Sequence, residues 1–420
     1  MSFFQQPMTT GKLPMPRVAW LAIISLSLIV NLPGLAITPM LDTLNRIFPD
    51  TSDLERQLLT MLPNLLIIPF VLMSGKLSTT PNKKLLIFLA LLIYAGSTVG
   101  YFFSTSMLAL IIFSCTLGIG AGLLVPFSTG LLADTFSGKY LMHQMGLQSA
   151  VSNLTLVCAT FAVGWLALFD WHLPFLVYSV CLIPLALLPF LSKVPAQEMD
   201  PRLADKTPEV HQEVDPSMSC NGRGMCVPRL AGLFGLYFLM TLSTISVSEY
   251  TPYLVANRHM DASVTGTLTS IFFLFVFVSG FSLSYIVRFF RQLSVVVAAA
   301  AILAGMSLFT FVPSVFAMGA GIFLIGLGYG TMQPLIYNKA TLTVCRPSLA
   351  TQALAIALTS NYLAIVVEPL MTQGICELFN KPVDGTFPFI ISECLTVLLF
   401  VLAVIFRKSF VFRVDKSQYQ

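Results

Sequence analysis

The chain has 420 residues, 56% of them apolar and 10% charged, with a mean hydropathy of +0.84. Soluble globular chains carry about a quarter charged residues, so this composition excludes a soluble enzyme, a nucleic-acid binder and a disordered scaffold. The formal charge of +4 is small and spread out, which leaves no basic patch for a polyanion.

Residues 1–17 are polar, with prolines at 7, 14 and 16. No small-residue cleavage site follows a short apolar region, so the first apolar run reads as a retained helix and not as a signal. A hydrocarbon core of about 30 Å takes roughly 20 apolar residues in a helix. Twelve such runs follow one another, at 18–39, 57–78, 84–103, 107–132, 145–168, 173–192, 230–255, 263–288, 293–312, 315–337, 350–375 and 387–406. We number them spans 1 to 12. No stretch alternates with the ten-residue dyad pattern of a membrane β-barrel. The expected fold is therefore an all-α polytopic membrane protein. Its parts are an N-tail (1–17), a six-helix bundle (18–192), a linker (193–229), a second six-helix bundle (230–406) and a C-tail (407–420).

The linker is the one long polar segment and holds five prolines, the composition of a tether. Five of the eight cysteines, Cys115, Cys158, Cys181, Cys376 and Cys394, fall in or at the end of spans, where cysteine acts as a small apolar residue. Cys220 and Cys226 of the linker lack the paired CxxC or histidine partners of a zinc site. No disulfide framework, metal or cofactor is expected. Of the 23 Lys and Arg residues, 19 fall on the side shared by both termini and the linker. Only Arg46, Arg56, Arg258 and Lys381 fall on the other side. Such a bias places both termini in the cytoplasm.

The two bundles repeat one another. Span 4 reads G-I-G-A-G-L-L-V-P from Gly118 to Pro126, and span 10 reads G-L-G-Y-G-T-M-Q-P from Gly326 to Pro334, an offset of 208 residues. The same offset relates Ser152-Asn153 in span 5 to Ser360-Asn361 in span 11. Thr38-Pro39-x-Leu41 recurs as Thr251-Pro252-x-Leu254, and Ser74-Gly75 as Ser279-Gly280. Four matches in one order, always between span n and span n+6, point to duplication. Parallel repeats of six spans place a substrate site between them near the bilayer midplane.

These features resemble the major facilitator superfamily, and the resemblance covers the whole chain outside the tails. The family's loop between spans 2 and 3, G-x-L-(A/S)-D-R-x-G-R-K, is matched by Gly75-Lys76-Leu77-Ser78-Thr79-Thr80-Pro81-Asn82-Lys83-Lys84. Thr79 and Thr80 stand where the family has Asp and Arg, which weakens the charge latch between the halves. Gly130-Leu131-Leu132-Ala133-Asp134 and Trp171-His172-Leu173-Pro174-Phe175 resemble the end of span 4 and the start of span 6 in twelve-span bacterial drug and metabolite exporters. Against that branch, Ser114 stands where proton-driven exporters carry an arginine, and span 5 lacks their glycine-rich antiporter motif. The resemblance implies a secondary transporter of the bacterial cytoplasmic (inner) membrane working as a monomer by alternating access, with a small molecule and protons as its partners.

Transport needs groups that bind substrate or carry a proton. Charged residues inside spans cost roughly 2.5–3.5 kcal/mol on insertion scales and default to function. Three acids lie there: Glu249 in span 7, Glu368 in span 11 and Glu393 in span 12. Glu368, between Val367 and Pro369, is the first candidate for proton coupling. Glu249, beside the Thr251-Pro252 step, is the second, and Glu393 sits in a peripheral span. Cavity candidates are the amides Asn31, Asn153, Asn361 and Gln333 and the tyrosines Tyr250, Tyr329, Tyr337 and Tyr362. Interhelical bonding would account for the amides equally well. Gly75, Gly118, Gly120, Gly122, Gly326, Gly328 and Gly330, with Pro126, Pro334 and Asp134, are expected to serve packing or gating.

No arginine or lysine lies deep in a span to hold a phosphate or dicarboxylate. An amphipathic substrate and proton-coupled export therefore come first. Proton-coupled uptake of a siderophore, sugar or nucleoside is the alternative, and a non-transporting membrane sensor is the alternative from another class.

Overall fold

The computed structural model describes residues 7–11, 14–34, 44, 47–49, 51, 53–78, 83–167, 169–193, 224–258, 262–345, 349–383 and 385–414. The first copy of the T-P-x-L repeat (38–41), Thr79 to Asn82 and most of the linker, with Cys220, lie outside these residues. Backbone polar groups in hydrocarbon must be satisfied within their own segment, and the chain is accordingly helical. Nine stretches of the described residues are long and apolar enough to cross a membrane. Three shorter apolar helical stretches, Arg17–Ile29, Met61–Leu77 and Thr267–Phe281, fall where spans 1, 2 and 8 are expected.

Span 2 is the helix Asp53–Leu77, span 3 Lys83–Phe102, span 4 Met107–Thr135 and span 5 Gly138–Leu166. Spans 9 to 12 are Ser294–Phe311, Val315–Thr341, Ala350–Leu378 and Phe387–Ile405. Three expectations need correction. Span 6 is not one α-helix but 3-10 turns at Leu173–Cys181 and Leu188–Lys193 around a short helix, Leu182–Leu187. Pro174, Pro184 and Pro189 each lack the N–H that continues an α-ladder. Span 7 is interrupted at Ile245, between Val227–Thr244 and Ser246–Asn257. Its helix then runs on through Thr251-Pro252, where the Thr251 hydroxyl donates to the Val247 carbonyl. Likewise Pro126 and Pro334 sit inside continuous helices. Span 8 ends at Phe281, and Leu283–Phe290 forms a separate helix with Leu283 and Val287 buried and Tyr285 and Phe289 exposed. That amphipathic stripe suits a helix lying along a surface.

The duplication is visible as packing. A Cβ on Gly118 would fall 2.6 Å from the Pro63 carbonyl oxygen of span 2, and one on Gly120 would fall 3.0 Å from the Tyr94 nitrogen of span 3. In the second half, Gly326 meets Phe272 of span 8 at 2.8 Å and Gly328 meets Ala298 of span 9 at 2.5 Å. Gly122 and Gly330 continue the pattern against Ile67 and Val276. Ser74 of span 2 donates to a span 4 carbonyl, Leu123, at 2.6 Å, and its counterpart Ser279 of span 8 to a span 10 carbonyl, Leu327, at 2.9 Å. Where no hydrophobic force separates helix from lipid, small residues let backbones approach and gain dispersion contact.

The halves meet at the end shared by the 2–3 and 8–9 connections. A Cβ on Gly75 would fall 2.5 Å from Ala355 Cβ, one on Gly130 would overlap Thr351, and one on Gly146 would lie 2.5 Å from the Gly280 carbonyl oxygen. Both tails fold back at this end. Residues 7–8 and 15–16 pair as two short antiparallel strands, and Ser137 at the start of span 5 binds the carbonyls of Thr10 and Gly11. The C-tail packs on spans 7 and 10: Lys339, 1% exposed, donates to the carbonyls of Phe410, Val411 and Arg413, and the Arg229 guanidinium lies 4.7 Å from the Phe410 ring centre. The end of the linker pairs with the chain after span 10, Cys226 N–H to Thr343 and Cys345 N–H to Gly224. Against expectation, Cys345 is disulfide-bonded.

Candidate functional site

A cavity lies between the halves and draws on spans 1, 2 and 5 from one and spans 7, 8, 10 and 11 from the other. Its polar wall is built of carboxamides: Asn31, Asn64, Asn153, Gln333 and Asn361. Its apolar wall is aromatic, with Phe272, Phe273, Tyr329 and Tyr362. Thr241, Thr244 and Ser248 supply hydroxyls along span 7. Among the described residues, no charged side chain lines it.

Helical spacing explains which residues meet. On span 5, positions 146, 149, 150 and 153 share a face. Gly146 and Ala150 pack on Gly280, Ser149 reaches Gln333, and Asn153 enters the cavity. On span 11, Asn361 and Tyr362 line the cavity with Ile365. Asn361 Oδ1 accepts from Thr241 at 2.8 Å and from the Tyr329 hydroxyl at 3.2 Å, tying three spans together. Its repeat partner Asn153 donates to the Ser149 carbonyl of its own helix, at 2.7 Å. Gln333 Oε1 accepts from Ser149 Oγ at 2.9 Å, and its Nε2 donates to the Tyr237 hydroxyl at 3.0 Å. Tyr237 is in turn 2.8 Å from the Tyr337 hydroxyl.

Two tyrosines expected at the cavity stand elsewhere. Tyr337 is buried behind Gln333. Tyr250 belongs to a cluster with Glu249, Glu368, Thr372 and Cys376. Glu368 is fully buried and not among the residues lining the cavity; its Oε1 accepts from Thr372 at 2.9 Å, while its Oε2 has no partner among the described residues. Glu368, one turn beyond Ile365, lies further along the same face of span 11, past the lining residues. Glu249, half-buried and next to Ser248, is within electrostatic reach of it. Glu393 faces span 9 instead and accepts from Ser307 at 2.6 Å.

The packing residues also divide. Gly75 sits at the contact between the halves, whereas Gly118, Gly120, Gly122, Gly326, Gly328 and Gly330 pack within one half. Asp134 pairs with Lys83 at 2.7 Å inside the first half. Ser114, at the position of the exporters' arginine, donates to the Leu59 carbonyl of span 2. Sequence reasoning missed Asn64, Ser149, Tyr237 and the span 7 hydroxyls. Asn64 carried the same signal as Asn31, an amide within an apolar run; the others look like ordinary helix residues until a partner stands opposite. Among the described residues no cluster of three or more His, Cys, Asp or Glu side chains could hold a metal ion.

Comparison with known proteins agrees with this architecture. The quinolone resistance protein NorA of Staphylococcus aureus is 25% identical over 289 residues, covering 66% of this chain and 69% of NorA. The structure of the proton:xylose symporter XylE superposes with a TM-score of 0.72 at 15% identity, covering 96% of this chain and 97% of that one. The human organic anion transporter MFSD10 superposes with a TM-score of 0.65 at 17% identity, covering 92% and 98%. The sequence model of the Major Facilitator Superfamily matches residues 19–369, and with twelve apolar stretches around a cavity between two glycine-packed repeats, the chain belongs to that superfamily of membrane transporters.

Proposed function

We propose that the protein is a proton-driven exporter of small amphipathic compounds in a bacterial cytoplasmic membrane, with both termini in the cytoplasm. The observation that carries the reading is the uncharged, amide- and aromatic-lined cavity between the halves. Aromatic faces take the apolar body of a substrate and the carboxamides its polar groups, a combination that suits loose recognition of mixed molecules. The similarity to a quinolone resistance protein supports export.

Glu368 serves as the proton carrier in this reading, with Glu249 as its neighbour. The Glu368 Oε1 is held by Thr372 just beyond the cavity, a position from which a carboxyl takes up or releases a proton as the site changes its access to water. Alternating access then follows from rocking of 18–192 against 230–406 around the cavity. Five carboxamides are also a fitting wall for a polyhydroxylated solute, so uptake of a sugar or nucleoside is the second reading.

Inverted membrane vesicles energised with a proton gradient test both. Collapse of the gradient on adding lipophilic dyes or drugs, dependent on the protein and lost in Glu368→Gln, is the expected result. Silence across that panel, with uptake of labelled sugars or nucleosides into cells, would replace export with the second reading.

A further inference from the structure

The contacts that close one end of the protein are close approaches at glycines, against small side chains at Gly75 and Gly130 and against backbone at Gly146 and Gly280. Dispersion contacts of this kind hold the halves together but carry no information about what occupies the cavity. One buried side-chain bond between the halves does reach it. Ser149 Oγ of span 5 donates to Gln333 Oε1 of span 10, and Gln333 is itself a lining residue. The far side of the amide is anchored, since Nε2 donates to Tyr237, which pairs with Tyr337. Gln333 is therefore held to its own half by the amide nitrogen and to the other half by the carbonyl.

A carboxamide offers two acceptor lone pairs and two donor hydrogens, and these bonds use one of each. Breaking the Ser149 bond without replacement strands a buried carbonyl, which costs more than the bond itself contributes. Replacing it with a donor from a molecule in the cavity leaves that carbonyl satisfied. The released Ser149 hydroxyl has a ready alternative in the carbonyl one turn back on its own helix, at Met145. Occupancy of the cavity by a hydrogen-bond donor is thus the low-cost way to part these two side chains.

We propose that Ser149 and Gln333 form a substrate-operated catch, in which an N–H or O–H of the transported molecule takes the place of the Ser149 hydroxyl on Gln333 and frees span 5 to move against span 10. The proposal rests on the transport reading and sharpens it: compounds that trigger movement carry a donor group, and compounds without one occupy the cavity without turning over.

The test needs no transport. Thr351, 2% exposed and packed against Gly130 at the closed end, is replaced by cysteine in the full-length protein in liposomes. Maleimide labelling at that residue is followed by mass spectrometry. Ser149→Ala should raise the labelling rate about two- to tenfold, the weight of one neutral hydrogen bond, and Ser149→Thr should restore it. Ethidium, which carries two aromatic amines, should accelerate labelling with Ser149 in place. Tetraphenylphosphonium, which has no N–H or O–H, should not. Labelling in Ser149→Ala equal to that of the parent overturns the catch, as does acceleration by neither compound or equally by both. If Ser149→Ala raises labelling and ethidium accelerates it while no compound is transported, the transport reading fails and the catch stands.

Discussion

The two halves share a scaffold but not a chemistry. Each packs its fourth helix on its second and third through three glycines at matched positions, with backbone approaches that leave no room for a methyl group. Yet all three acids within spans, Glu249, Glu368 and Glu393, lie in the second half, with the Tyr237–Tyr337 pair and the Asn361 junction. The buried tyrosines of the first half, Tyr94, Tyr101 and Tyr178, instead form an aromatic cluster with Phe175. Duplication supplied two similar scaffolds, and the three acids that fall within apolar spans are all in the second.

The sharpest way to break this contrast is to move charge within the second half. Glu368→Gln should abolish flux driven by a pH gradient, while Glu393→Gln, bonded to Ser307 away from the cavity, should leave it intact. Vesicle assays on both variants read the difference, and equal loss in both would dissolve the distinction between cavity and periphery.

Next comes the scaffold. Gly328→Ala should destabilise the protein by about 1–3 kcal/mol through overpacking against the Ala298 backbone, and more than Gly120→Ala, where the approach is looser. Gly235→Ala, with open space around it, is the control. Thermal unfolding in detergent ranks the three.

The tails give a smaller contrast. Lys339→Ala removes the donor that gathers three C-tail carbonyls and should make trypsin cut faster at Arg407, Lys408 and Arg413. Ser137→Ala loses an exposed bond to Gly11 and should change proteolysis of the N-tail little. Smaller still is the Lys83–Asp134 pair, whose partly exposed partners make Lys83→Ala cost under about 1 kcal/mol.

The smallest effect concerns pH. Hydrogen bonds from His172 hold the exposed Asp170 carboxyl below the usual carboxylate range. Its contribution is present above the unfolded pKa and lost as pH falls through the lower folded value. Asp170→Asn should therefore differ from the parent at neutral pH and converge with it in acid, as read by unfolding at the two pH values.

The all-α membrane fold and the family were legible in the sequence. Apolar length is a local property, because a chain in hydrocarbon must satisfy its backbone within each segment, and the repeated G-x-G-x-G-x3-P records packing that backbone contact enforces. The amides Asn31, Asn153, Asn361 and Gln333 were legible as candidates for a similar reason, since each stood out in an apolar run. Which face of a span meets the cavity was not legible. Lipid and neighbouring helix are both apolar, so a helix such as span 4 or span 9 shows no stripe for a reader to follow. Tertiary structure alone separated Tyr329 and Tyr362, on the cavity wall, from Tyr337 and Tyr250 behind it. It also put Ser149 opposite Gln333 across 184 residues of chain. A hydrogen bond between halves depends on where two helices cross, and no local property of either helix encodes that crossing.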